Sequence, residues 1–386
     1  VRSLSDPITL LLPRTLAFGI GCAAQLNADL LARAAGTVFV VTSPPIRPLV
    51  DRSLASLVGA GVAVHVHDAI AREPTVGDLE QALAAARDAG ADAVVGIGGG
   101  SAMDVAKLVA ALLRSDQRVH DAFGIGKLGP RATFLACLPT TAGTGSEVSP
   151  NAILLDEREN LKKGVISPHL VPDAAYVDPA LTFGVPRDVT AATGIDALSH
   201  CIEAYANRFA HPVVDGYAIE GIRQVALHLP AALQSPADPV ARSGVALGSL
   251  YGGICLGPVN TGAAHALAYP LGSEFHVSHG VSIAVLLPHV LAFNLEAAPD
   301  RYADIAVALG VARSPDPLAT ARAGIERLAD LVCSSGVPTS LRSLGVPRDA
   351  LPRLARAAMT VTRLLERNVR PLAEADALAL YERAYS

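Results

Sequence analysis

The sequence predicts a two-domain α/β protein: a doubly wound parallel sheet in residues 1–185, followed by a nearly all-helical half in residues 186–386. Three observations lead there. At 386 residues the chain exceeds what one ordinary hydrophobic core accommodates. Its first half alternates short apolar runs with amphipathic stretches. Beyond about Pro186, strand signals give way to long helical patterns.

In order along the first half, TVFVVT (37–42), VAVHVH (62–67) and DAVVGIG (92–98) read as strands, because they are short, rich in β-branched residues and bounded by turn residues. PLVDRSLASLVGAG (48–61) and TVGDLEQALAAARDAG (75–90) read as the helices between them. Strand and helix alternating through short connections imply a parallel sheet covered on both faces. Pro179 and Pro186 interrupt regular structure in DPALTFGVPRDVT and mark the boundary. Helical patterns then occupy residues 189–209, 214–233, 240–257, 301–310 and 319–336.

The composition is globular, 51% hydrophobic but only 4% aromatic with no tryptophan, so the cores are built from Ala, Leu, Val and Ile. A net charge of −5 offers no electrostatic footprint for nucleic acid. Five cysteines without paired spacing argue against a disulfide framework and for a reducing compartment. No apolar run reaches the roughly 20 residues that span a bilayer, and the first residues lack a secretory leader's pattern. The expected location is therefore the cytoplasm, with no membrane partner.

Chemistry concentrates in two places. In TAATGIDALSHCIEAY, Asp196 and His200 stand one helical turn apart and so point the same way. His265 and His279 follow in GAAHALAYPLGSEFHVSHG. One carboxylate and three imidazoles suit a divalent ion with a position left open for reaction. Any one of the four taken alone reads better as an ordinary polar residue; the set does not.

The second place is a pair of glycine-rich loops. VVGIGGGSAMDVAK sets Gly98, Gly99, Gly100 and Ser101 between a strand and a helix start, where backbone amides and the helix dipole favour a phosphate. LPTTAGTGSEVSPNAIL adds the hydroxyls of Thr140, Thr141 and Thr144, and Lys162 and Lys163 follow. Either loop alone is compatible with a plain structural turn. Two of them on one α/β domain point to a dinucleotide.

Five ordered motifs, GIGGGSAMDVAK, PTTAGTGSE, KKGVISPHLVPDAAYVDPALT, GIDALSHCIEAY and HALAYPLGSEFHVSHGVSIAVLLPHVLAFN, resemble the iron-containing, group III alcohol dehydrogenases over nearly the whole chain. The resemblance implies a dehydroquinate-synthase-like architecture, with an N-terminal Rossmann-like domain and an all-α C-terminal domain. It places metal ligands at Asp196, His200, His265 and His279, and NAD or NADP contacts at Gly98, Gly99, Gly100, Ser101, Asp104, Thr140, Thr141, Thr144 and Lys162. It implies Fe²⁺ with Zn²⁺ as the alternative, a small alcohol or aldehyde substrate, and a homodimer.

Three positions depart from the family pattern. Tyr269 stands where many members carry a histidine, so the proton path falls to Tyr269 or His276, unless the tyrosine is there only for packing. Ser43 stands where an acidic residue often meets the adenosine ribose, which opens the site to NADP. Glu73 stands where asparagine is common. Two other activities share the fold: a maleylacetate-reductase-like, metal-independent reduction of an oxo-acid, and a dehydroquinate-synthase-like carbon–oxygen lyase reaction.

Overall fold

A computed structural model describes residues 2–386. The chain forms β1 (Thr15–Phe18), α1 (Gln25–Ala32), β2 (Thr37–Val41), α2 (Arg47–Gly59), β3 (Ala63–His67), α3 (Val76–Asp88), β4 (Ala93–Gly98), α4 (Gly100–Leu112), α5 (Val119–Ala122), β5 (Gly124–Ile125), β6 (Phe134–Pro139), β7 (Asn151–Asp156), β8 (Leu161–Ile166) and β9 (Ala174–Val177). Helices follow: α6 (Arg187–Tyr205), α7 (Pro212–Gln234), α8 (Pro239–Leu256), α9 (Ala263–Phe275), α10 (His279–Asn294), α11 (Pro299–Ala308), α12 (Pro317–Ser335), α13 (Leu351–Met359), α14 (Thr362–Leu365) and α15 (Glu374–Tyr385).

Two compact units result. The sheet unit comprises Leu11–Thr141 and Gly145–Gly184; the helical unit takes the chain up to Leu10, Ala142–Thr144 and Val185–Ser386. Residues at the start of the chain and in the second glycine loop thus belong to the helical unit, a partition that a single cut near residue 186 does not express.

In the sheet unit six parallel strands run in the order β1-β9-β6-β4-β2-β3. The two-residue period of each strand divides its side chains between two apolar layers. Val38 and Val40 of β2 and Val95 and Ile97 of β4 pack with Leu26, Leu30, Leu54 and Leu57 from α1 and α2. Phe39, Val41 and Val94 pack on the other face with Leu79 of α3 and Leu108 of α4. This is the doubly wound arrangement expected. From β2 the chain crosses outward to β3, whereas from β4 it crosses the other way to β6, so a switch point lies between the carboxyl ends of β2 and β4. A smaller sheet, β5-β8-β7, contains an antiparallel β7–β8 pair that the sequence does not announce.

In the helical unit α6 is buried on nearly every side from Thr190 to Tyr205, which marks it as the central helix. One correction concerns hydropathy. The stretch His279–Ala297 is long and apolar enough to cross a membrane, with mean hydropathy 1.5, although no such run stands out by eye. Two thirds of it, 67%, is buried within the protein, and Ile283 to Leu287 belong to the helical core.

Candidate functional site

Four donor side chains meet in the helical unit. The i, i+4 spacing on α6 aims Asp196 and His200 to one side, the third residue of α9 supplies His265, and the first residue of α10 supplies His279. One oxygen, Asp196 Oδ1, lies 3.7 Å from His200 Nε2, 3.6 Å from His265 Nε2 and 3.5 Å from His279 Nε2. These separations are too long for hydrogen bonds. They match the edges of a coordination shell, where donors about 2.0–2.2 Å from one ion stand roughly 3.3–3.6 Å apart.

Two of the atoms involved confirm that something is expected between them. Asp196 Oδ1 and His265 Nε2 are buried and without a hydrogen-bond partner, a state that buried polar atoms rarely tolerate. The donors of Asp196, His265 and His279 all lie within 4.8 Å of one another. The donor chemistry and the orphaned atoms therefore fit a divalent ion.

The far sides of two rings are committed. His200 Nδ1 lies 3.2 Å from Gly143 O, to which it donates, leaving Nε2 bare toward Asp196. His265 Nδ1 is hydrogen-bonded to Glu203 Oε2. Helix α8 passes close beneath: a Cβ at Gly252 would stand 3.0 Å from His200 Cβ and 3.3 Å from Ala197 O, so a side chain there would push the ligand-bearing helix back by a few tenths of an ångström.

Electrostatics follow from this crowding. Burial alone would raise Asp196, but His200, His279 and His265 outweigh it and hold the carboxyl well below its usual range. Burial pushes His200 down, against the pull of Asp196. At His265 burial also disfavours charge, yet Glu203 and Asp196 prevail and raise the imidazole to about 9. His279 remains 28% exposed at the side chain, whereas Asp196 and His265 are nearly sealed, which leaves access from the His279 side.

The two proton-path candidates separate. The Tyr269 ring lies beside His279, with centroids 6.3 Å apart. His276 instead forms the exposed C-cap of α9 in a left-handed conformation, φ 54°.

In the sheet unit, Gly98 ends β4 and Gly99 is the N-cap of α4, with Gly100 and Ser101 in its first turn. A glycine N-cap has no side chain to occupy the first amides, so they are left for a ligand. Thr140 N donates to Gly98 O (2.9 Å), and Thr141 Oγ1 lies 3.5 Å from where a Cβ on Gly99 would stand. Ser43 follows β2 on the other side of the switch point, half-buried and extended. Thr144 belongs to the helical unit.

Two of the cofactor positions drawn from the resemblance are engaged within the protein. Asp104 accepts from Ser146 Oγ (2.5 Å) and Ile153 N (2.9 Å) and lies 3.9 Å from Lys107 Nζ, so its carboxylate is turned inward beneath the glycine loop. Lys162 pairs with Glu73 at 2.6 Å. Lys107 is fully buried and donates to Ser149 O (2.9 Å) and Asn151 O (2.8 Å).

Near this lysine, burial raises Glu147 to about 7, against the pull of Lys107. The unfolded carboxyl titrates near 4.5, so between these values the folded state holds the extra proton and stability falls as pH rises. Glu147→Gln should remove up to about 3 kcal/mol of that decline. Denaturant titrations at pH 4.5 and pH 8 check this, and an unchanged slope would refute it.

Comparisons with known proteins agree with both halves. Residues 13–179 match the family described as iron-containing alcohol dehydrogenase, and residues 190–385 match the C-terminal part of the Fe-containing alcohol dehydrogenase family. The chain is 40% identical over 375 residues to long-chain-alcohol dehydrogenase 1 of Geobacillus thermodenitrificans, covering 95% of this chain and 94% of that one. It is 32% identical to lactaldehyde reductase of Escherichia coli strain K12, covering 91% and 92% respectively. A solved 1,3-propanediol oxidoreductase superposes with a TM-score of 0.95 at 32% identity, over 98% of this chain and 100% of the other.

Proposed function

This chain belongs to the iron-containing alcohol dehydrogenase family, and from that premise we propose how its residues divide the work. It is a metal-dependent, NAD(P)-linked oxidoreductase acting on CH–OH groups, oxidising alcohols and reducing aldehydes. When bound, a divalent ion supplies a Lewis acid for the substrate oxygen and the nicotinamide gives or takes the hydride.

Asp196, His200, His265 and His279 hold the ion, Fe²⁺ in this assignment with Zn²⁺ as the alternative. The observation that carries this is the convergence of three imidazole nitrogens on the one orphaned oxygen of Asp196. Asp196, His200 and His265 are buried, which limits the water that reaches them. Gly98, Gly99, Gly100 and Ser101 cradle the pyrophosphate, and Thr140 and Thr141 offer hydroxyls beside it. Ser43 brings no carboxylate of its own to the end of β2, and Asp68 beside it is paired with Arg47 at 3.2 Å, so both NAD and NADP are accepted.

Tyr269 moves the substrate hydroxyl proton through its Oη, a role supported by its ring beside His279. Tyr269→Phe should then lower kcat on the order of 10²-fold while metal content stays unchanged. Wild-type kcat in that variant would remove the tyrosine from the path.

The test of the whole reading is metal content of protein purified without chelator, with NADH and NADPH formation from short and long primary alcohols and diols before and after adding Fe²⁺ or Zn²⁺. Turnover that follows the ion supports it. Metal-free protein that reduces an oxo-acid at full rate would favour the maleylacetate-reductase-like alternative.

A further inference from the structure

Glu203 lies seven residues beyond Asp196 on the same face of α6, only 6% exposed. Among the described residues no lysine or arginine pairs with it, although a buried carboxylate without a counter-charge is costly. Both of its oxygens are nevertheless occupied. Oε2 is hydrogen-bonded to His265 Nδ1, and Oε1 accepts the backbone N–H of Ala264 at 2.7 Å. The surroundings are shaped around it: a Cβ at Gly262 would stand 3.2 Å from Glu203 Oε1 and 3.3 Å from Asn368 Oδ1.

We infer that Glu203 is a positioning residue for the metal centre: it accepts from His265 Nδ1 and from the Ala264 amide together, and so turns the other ring nitrogen, Nε2, toward Asp196 and the ion. The inference rests on the metal reading proposed above. An imidazole whose Nδ1 carries the proton keeps its Nε2 lone pair for a ligand, and the second bond fixes the first turn of α9 so that the ring cannot swing away. The carboxylate is suited to this because both of its oxygens only accept.

Glutamine keeps the volume of Glu203 but turns one of its two acceptors into a donor. An amide NH₂ facing His265 favours the opposite tautomer, with the proton on Nε2 where the ion must bind. In full-length protein freed of metal, Zn²⁺ and Co²⁺ affinities are measured by competition with a chromophoric chelator, and the visible bands of the Co²⁺ form report ligand geometry. Glu203→Gln should weaken both ions about 10- to 100-fold and alter the Co²⁺ spectrum, with NADH binding and circular dichroism unchanged. Affinities within twofold of wild type in folded protein would overturn the inference and leave the metal reading standing, whereas a wild type that binds neither ion overturns both. If the variant fails to fold, ¹⁵N-histidine spectra of Zn²⁺-loaded wild type decide the matter: a proton on His265 Nδ1 supports the role, and a proton on Nε2 refutes it.

Discussion

Replacing His265 with alanine should abolish turnover, by on the order of 10³-fold or more, because the substitution removes a donor from a set in which the orphaned Asp196 oxygen already waits for a partner. It also strands Glu203, leaving that buried carboxylate with the Ala264 amide as its hydrogen-bond donor from α9. Metal content should fall far below one ion per chain. NAD(H) binding should stay within about twofold, since the residues assigned to the pyrophosphate belong to the sheet unit and His265 to the helical unit. Elemental analysis and a nucleotide fluorescence titration check the two halves separately. Full activity in the variant would end the assignment of the centre.

Lys107→Met should produce the largest loss of stability. The lysine is fully buried, satisfies two main-chain carbonyls and stands among Asp104 and Glu147. Methionine fills the space, but two carbonyls lose their donor and both carboxyls lose the Lys107 charge that favours their ionised form. Breaking a buried charge cluster from one side costs about 3–5 kcal/mol, or about 10 °C in melting temperature for a domain of this size. The loss should be smaller at pH 5 than at pH 8, because protons then neutralise the stranded carboxyls. A melting temperature within about 2 °C of wild type at pH 8 would show that the lysine does not hold the loop together.

How much of this is legible in the sequence depends on whether the cause is local. Runs such as TVFVVT and DAVVGIG carry their own β propensity and became β2 and β4; the long helical patterns became α6, α7, α8, α11 and α12. The β7–β8 pair was hidden because Lys162 and Lys163 make the second strand look polar, although they pair with Leu155 and Leu154 of β7. The four donors were readable from residue type and spacing. Glu203 was readable in principle, since positions 196, 200 and 203 follow a helical face, but a glutamate on a helix is ordinary until its neighbour is known to be His265. Orientation escaped entirely. Nothing in GSAMDVAK tells that Asp104 accepts from Ser146 and Ile153.

The partition of the chain between its two units bears on how the protein is made. The helical unit includes the first ten residues, where Arg2 N donates to Ala210 O, and the tripeptide Ala142–Thr144, yet most of it lies beyond Val185. As the chain leaves the ribosome, the stretch from Leu11 to Gly184 holds every strand of both sheets and can begin to assemble early. The opening segment must wait for α6 and the loop after it, and Gly143 must wait for His200. The four donors on α6, α9 and α10 can therefore come together only after the sheet unit's strands have all been made.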